Sequence, residues 1–225
     1  GLFTVHKVED DYFYEIPDSL FNREMLMVTR IAKTATGIGF GGGKANTQVL
    51  RWEKKNKKVL LRVVSHEIFA ADSLPIHEAV SNSNFEPVLF SFDVKTINKD
   101  STATVVQVND LFSDDVQALG LPGYYRESYK VRNVDKGRGY IESLKSFPLN
   151  IESRHVKTYN AGNPPSNESV GSITVEMSSS MVLLPKVPME RRYFDRRVGW
   201  FARGQVDYGL DAQESKTVRY LDRWR

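Results

Sequence analysis

Hydrophobic residues along this chain recur mainly at every second position. Val88, Phe90, Phe92 and Val94 alternate with Leu89, Ser91, Asp93 and Lys95, the pattern of a strand with one face on a core and the other mostly in water. Ile173, Val175, Met177, Met181 and Leu183 keep one parity through 170–184, with mostly Ser, Thr and Glu opposite. Leu50 and Trp52, then Val59, Leu61 and Val63, form a pair split by Lys54-Lys55-Asn56-Lys57-Lys58. A short polar segment between two alternating runs predicts a hairpin, and its lysines read as a solvated turn that discourages edge-to-edge pairing. Further strands are expected at 2–8, 11–16, 24–34, 102–109, 138–145, 150–159 and 216–223, with Glu9-Asp10-Asp11 turning the first pair.

Helical signals are few. Ser113-Asp114-Asp115 followed by Val116, Ala118, Leu119 and Gly120 predicts a short capped helix that ends on a glycine. Pro17–Phe21 and Pro75–Val80 suit one or two turns each. Asn160–Asn167 reads as a polar loop. The expected class is mainly β, a largely antiparallel sheet or sandwich-like architecture with a few short helices. The chain reads as one β-rich module over 1–225. A seam at Gly120-Leu121-Pro122-Gly123 marks lobes 1–119 and 120–225, unless strands on both sides share one sheet.

Composition narrows the chemistry. With 225 residues, 40% hydrophobic and 26% charged, the chain buries a proper core and is not a disordered segment. No apolar run approaches the roughly 18–20 residues that span a bilayer. The absence of cysteine excludes disulfides, thiol catalysis and cysteine-ligated metals, and is silent on compartment. The net charge of +3 is well short of a dedicated nucleic-acid binder, so no nucleic-acid partner is expected. The chain starts at Gly1 and not at Met, which reads as a processed or trimmed product.

The tempting motifs fail on physical grounds. Gly37, Gly39 and Gly42 match G-x-G-x-x-G, but a strand pattern follows at Thr47–Trp52 where a dinucleotide site needs a helix N-terminus. The run is better read as a loop between strands, and Gly37, Gly39, Gly41, Gly42 and Gly43 make it a candidate flap. His66-Glu67 and His77-Glu78 begin like H-E-x-x-H, but Ala70 and Ser81 stand where the second ligand belongs. No G-x-S-x-G occurs, and Glu9-Asp10-Asp11 and Asp114-Asp115 are explained by a turn and a cap. No catalytic, metal or cofactor-binding residue is therefore expected in this chain. The last forty residues differ in kind: Met189-Glu190-Arg191-Arg192-Tyr193-Phe194-Asp195-Arg196-Arg197-Val198-Gly199-Trp200-Phe201 interleaves arginine with aromatics. Such a segment grips single-stranded nucleic acid, builds a network of carboxylate pairs and stacked guanidiniums, or lines a protein contact. The last two fit the low overall charge.

This segment resembles the R-x-x-D-x-R-V-G-[YW]-F signature of a family of bacterial secreted zinc-dependent metalloproteases, where it lies just before the zincin catalytic domain. Phe13–Leu20 and Met25–Ile31 are similar to that family's "Y-x-E-I-P … L-x-V-[ST]-R-I" opening, and Arg223-Trp224-Arg225 to its R-W-[RK] junction. The resemblance implies a non-catalytic amino-terminal module of an exported protein. Its partner would be a downstream protease domain of the same polypeptide, with zinc held there. Arg191, Arg192, Asp195, Arg197, Trp200 and Phe201 are the expected interdomain or network residues. The rival expectation is a stand-alone module that binds peptide or glycan, motivated by the aromatics and the glycine loop.

Overall fold

A computed structural model describes residues 1–166, 168–211 and 214–222. The chain is mainly β, with a large antiparallel sheet and three short helices. In order the strands are β1 (Thr4–Val8), β2 (Asp11–Pro17), β3 (Glu24–Lys33), β4 (Lys44–Lys55), β5 (Lys58–Val64), β6 (Ile68–Phe69), β7 (Val88–Ile97), β8 (Ala103–Gln107), β9 (Val131–Val134), β10 (Tyr140–Ser146), β11 (Asn150–Ala161), β12 (Ser172–Leu183), β13 (Ala202–Asp207) and β14 (Lys216–Leu221). The helices are α1 (Ile76–Ser83), α2 (Asn109–Ser113) and α3 (Gly123–Ser128). None among the described residues is long and apolar enough to cross a membrane.

Two compact units divide the chain, one of residues 1–63 and 88–184, the other of 64–87 and 185–225. In the first unit eleven strands form one sheet in the order β1-β2-β8-β7-β5-β4-β3-β12-β11-β10, with β9 pairing the far end of β11. The two ends of this path return to each other, since the Leu2 N–H donates to the Phe147 carbonyl at 2.6 Å. The sheet is thus a barrel closed at one corner of its seam.

Its interior follows from the alternation. Tyr12, Tyr14 and Ile16 of β2, Met25 and Met27 of β3, Leu50 and Trp52 of β4, and Val59 and Leu61 of β5 all turn inward. Trp52 sits at the centre, with ring centroids 5.8 Å from Phe3 and 5.3 Å from Phe92. The Lys54–Lys58 hairpin forms as expected, with Asn56 at φ 55°. A second apolar cluster holds Ile31, Ile38, Leu121, Tyr159, Ile173, Val175 and Met177. Between the clusters lies a polar layer, in which Thr29 and Ser179, opposite each other on β3 and β12, bond at 3.0 Å through their hydroxyls.

Segment 109–121 enters this interior, burying Leu111, Phe112, Val116, Ala118, Leu119 and Leu121. The single helix expected after Ser113 is not what forms. α2 ends at Ser113, Asp114 is extended, and one 3-10 turn follows at Gln117–Leu119. The reason is the inward face of β11, whose polar side chains take backbone groups that a continuous helix would keep to itself. His155 Nε2 donates to the Leu119 carbonyl at 3.0 Å, Lys157 Nζ to the Asp114 carbonyl at 2.7 Å, and the Leu121 N–H to Tyr159 Oη at 3.1 Å. The Gly120–Gly123 stretch lies inside the first unit, between this 3-10 turn and α3.

In the second unit β13 pairs β14 antiparallel and β6 parallel. Three elements beyond the expected set are β6, β9 and β13, which are short or lack a clean alternation, and α3 is a helix where no helix was expected.

Candidate functional site

The arginine–aromatic segment folds onto the outer edge of β14. Arg192 accepts the Leu221 N–H at 2.9 Å, and the Phe194 N–H donates to the Arg219 carbonyl at 2.8 Å. Tyr193 stands opposite Tyr220 as a β-bridge, with rings 5.5 Å apart. The segment therefore acts as a short extra strand, and backbone pairing brings its side chains over the neighbouring aromatics. The Arg191 guanidinium lies 5.2 Å from the Phe69 ring and 5.1 Å from the Tyr220 ring, and Arg219 sits 4.1 Å above Phe194. These are cation–π geometries.

Beyond Phe194 the chain turns. Asp195 receives the Arg197 backbone N–H at 2.9 Å and the guanidinium through both carboxylate oxygens, with Nε 2.9 Å from Oδ1. These hydrogen bonds hold the Asp195 carboxyl below the usual carboxylate range. The Val198 N–H closes the turn on the Asp195 carbonyl at 3.0 Å. Trp200 Nε1 donates to the Asp222 carbonyl, Arg203 pairs with the Asp222 carboxylate, and the Asp222 N–H donates to the Phe201 carbonyl at 2.9 Å.

Of the six expected network residues, the structure thus brings all into one strip. Arg191, Asp195 and Arg197 act through side chains, Arg192 and Phe201 through their carbonyls, and Trp200 through its indole N–H. The Phe201 ring remains 83% exposed and Trp200 48% exposed, with Val198 and Met189 also exposed. Cations turned onto rings and carboxylates, beside bare apolar rings, make a surface suited to protein contact. Arg223-Trp224-Arg225 lie outside the described residues.

The glycine run lies in the first unit, between β3 and β4. Several of its backbone groups are taken: the Gly42 N–H donates to the Ile31 carbonyl at 2.7 Å, Tyr129 Oη to the Gly37 carbonyl at 3.3 Å, and Thr34 Oγ1 to the Ile38 carbonyl at 2.9 Å. Ile38 is buried in the second cluster, while Phe40 at the tip is 94% exposed. Gly37 adopts φ +87°, a conformation that favours glycine. The Gly39, Gly41 and Gly43 backbones complete the same loop. Beside it stand three tyrosines that the residue patterns did not flag. Tyr125 and Tyr129 stack at 6.1 Å with planes 9° apart, and Tyr124 lies 3.9 Å from Tyr125. A hydrogen bond to Tyr125 pushes the Tyr124 hydroxyl up to about 12. The i, i+4 spacing of Tyr125 and Tyr129 was their available signal.

The incomplete zinc motif at His77 has a local purpose. His77 Nδ1 meets the Ala70 carbonyl at 3.0 Å, and Ser81, where the second ligand would stand, meets Nε2 at 3.3 Å. His66 supplies its carbonyl to Gln205 Nε2 at 2.7 Å.

Residues 42–225 match the family described as Domain of unknown function (DUF5117). The chain belongs to the DUF5117 family. Residues 1–34 match a second description, Domain of unknown function (DUF5118). No curated protein and no solved structure matches the chain. The gap between the two matches falls on the glycine loop. β3 precedes it and β4 follows it, and the two strands pair from Glu24–Arg51 to Arg30–Lys44. The DUF5117 match therefore takes part in a barrel whose β1, β2 and β3 come from the other match.

Proposed function

We propose that this chain is a non-catalytic module of an exported zinc-dependent metalloprotease, and that its second unit docks on the catalytic domain of that polypeptide. The observation that carries this reading is the strip Arg191–Phe201. Backbone pairing with β14 and the two bonds between Asp222 and Trp200 and Phe201 hold bare aromatic rings beside the last described residues. The resemblance implies a protease domain after this point, and the exposed rings are the contact surface this reading assigns to it. Burying a Phe side chain contributes about 1.5–3 kcal/mol, enough for two or three such rings to hold a tethered domain. In this reading the module supports folding of the catalytic domain or shapes its cleft, and the zinc belongs to that domain.

The test is to express the catalytic domain alone, with the module, and with the module carrying Phe201→Ala and Trp200→Ala together. Loss of yield, thermal stability and peptidase activity without the module, reproduced in part by the double variant, is expected. Equal yield, stability and activity in all three would overturn the reading.

A second reading is favoured by the tyrosine group beside the glycine loop. Tyr124, exposed next to stacked Tyr125 and Tyr129 with Phe40 nearby in sequence to Gly39, offers flat faces of the kind that stack on sugar rings. Binding on a glycan array that disappears in Tyr124→Ala supports it; an array without signal removes it.

A further inference from the structure

The loop 34–43, between β3 and β4, presents one apolar ring to water. Phe40 is 94% exposed, more than any other large hydrophobic side chain among the described residues. The loop that carries it is fastened. The Gly42 N–H donates to the Ile31 carbonyl at 2.7 Å and the Ile31 N–H to the Gly43 carbonyl at 2.9 Å, which carries the β3–β4 pairing up to the base of the loop. The Ile38 N–H closes a turn on the Ala35 carbonyl at 3.1 Å, and the Ile38 side chain is buried in the second apolar cluster. Ile38 anchors the loop inward, and Phe40, two residues on, is held out.

The loop is joined to α3 and to the chain that leaves β11. Tyr129 Oη donates to the Gly37 carbonyl at 3.3 Å, and a Cβ on Gly39 would stand 3.7 Å from Tyr125 Oη. Tyr124, its ring 3.9 Å from that of Tyr125, is 61% exposed. The Asn163 N–H donates to the Tyr129 carbonyl at 3.1 Å and the Gly162 N–H to the Lys130 carbonyl at 3.0 Å. Four exposed cations stand in these same elements. Arg30 Nη1 donates to the Gly42 carbonyl at 3.1 Å, and Lys44 opens β4 directly after the loop. Lys130 and Arg132 follow α3, with Lys130 Cβ and Arg132 Nη2 lying 3.5 and 3.6 Å from where a Cβ on Gly162 would stand. The exposed acids of α3 and of the 162–171 segment are Glu127 and Glu168, so cations lead.

A folded protein would need a pocket shaped for a ring that stands this far clear of its own chain. A bilayer needs none, because acyl chains close around whatever apolar group enters. Its anionic headgroups lie at the depth where cations at the base of an inserted ring meet them. Tyrosine, with an apolar body and a polar tip, is favoured at that same depth. The arrangement here has each of these parts: a ring at the tip, a tyrosine beside it, and cations at the base.

We propose that this end of the barrel binds the surface of an anionic lipid bilayer. Phe40 inserts among the acyl chains near the headgroups, Tyr124 lies at headgroup level, and Arg30, Lys44, Lys130 and Arg132 pair with lipid phosphates. One ring alone gives weak and reversible attachment. Each cation near an anionic surface adds about fivefold, and the apolar and cationic signals together make a usable affinity. The site lies in the first unit and uses no residue of the Arg191–Phe201 strip. Either proposal can therefore fail without the other, and this one does not depend on the parent being a protease. It competes with the sugar reading of Tyr124, and the experiment separates the two.

The whole chain is sedimented with vesicles of phosphatidylcholine alone and of equal parts phosphatidylcholine and phosphatidylglycerol. Binding to the anionic vesicles is expected, at least about tenfold tighter than to the neutral ones and weaker as salt is raised. Phe40→Ala should lower that affinity about tenfold and leave the melting temperature unchanged, because the ring is almost wholly in water. Phe40→Trp should bind like the parent and gain fluorescence that brominated lipid quenches. Lys130→Gln combined with Arg132→Gln should lower the affinity and flatten its salt dependence. No binding by the parent, or binding indifferent to Phe40→Ala, would overturn the proposal. So would quenching in the parent equal to that in Phe40→Trp, which would assign insertion to tryptophans elsewhere in the chain. A glycan-array signal lost in Phe40→Ala, with no vesicle binding, would give the loop to the sugar reading instead.

Discussion

On the inward face of β11, His155, Lys157 and Tyr159 stand where an alternating strand would place apolar groups. Burial, helped by the Lys157 charge, pushes the His155 imidazole down to about 3. The neutral ring donates through Nε2 to Leu119 and lies 5.1 Å from Phe112. The unfolded chain takes up a proton below about 6.5, which the folded chain refuses until about 3. The stabilisation is therefore complete above pH 6.5 and drains as pH falls toward 3. Between pH 6.5 and 5 the loss is about 2 kcal/mol. Unfolding free energies from urea titrations at pH 7 and pH 5 should differ by that much in the parent, and by clearly less in His155→Gln, whose amide still reaches Leu119. Equal differences in both would refute this account.

Gly120 is set by the same cluster. A Cβ at Gly120 would come within 2.5 Å of Tyr159 Oη, a buried atom held by the Leu121 N–H. Gly120→Ala should cost about 1–3 kcal/mol. In Gly120→Ala with Tyr159→Phe the clash is relieved, so the double variant should be less destabilised than the sum of the singles, as a double-mutant cycle in urea would show. None of this was legible from residue patterns, because a polar residue on an inward strand face gives no signal until its partner segment is in place.

At the scale of elements, the barrel takes β1, β2 and β3 from the first 34 residues and the rest from beyond residue 42. Those first 34 residues contribute Phe3, Tyr12, Tyr14, Ile16, Met25 and Met27 to the core around Trp52. A fragment of residues 42–225 would leave unpaired the edges of β4 and β12 that pair with β3 and the edge of β8 that pairs with β2. It should not fold independently: far-UV circular dichroism should show a loss of sheet, and dye binding should report exposed apolar surface. A cooperative native-like transition in the fragment would contradict that. The strands of this barrel were legible where alternation is clean, as in β2, β7 and β12. The expected helix at 113–120 was not, because its carbonyls at Asp114 and Leu119 are claimed by Lys157 and His155 from a strand some forty residues away.

At the scale of the whole molecule, the chain joins a barrel to a small sheet that carries the arginine–aromatic strip. The strip was legible as a segment of unusual composition. What composition could not supply was the division of labour between cations and rings. Arg191 and Arg219 lie on aromatics and Arg197 on Asp195, while Phe201 and Trp200 are among the exposed rings, with Tyr193 and Val198 beside them. The docking reading rests on those rings, and for this reason the double aromatic variant is the informative one. Asp195→Ala should leave the melting temperature nearly unchanged, since the pair is solvent-exposed, and thermal melting of this variant separates fold support from docking.

The sequence by itself determined the class of the fold and the position of its punctuation. Alternation is a property of neighbouring residues, and a strand's two faces follow from it without reference to any partner. The failure of the nucleotide and zinc motifs was likewise local, a matter of what stands at Ala70, Ser81 and after Gly43. Only the tertiary structure decided that one sheet curls until β1 meets β10, and that β11 holds a backbone segment through its polar face. Each of these joins residues more than thirty positions apart. Their geometry depends on accumulated twist and on which backbone groups earlier pairings have already consumed.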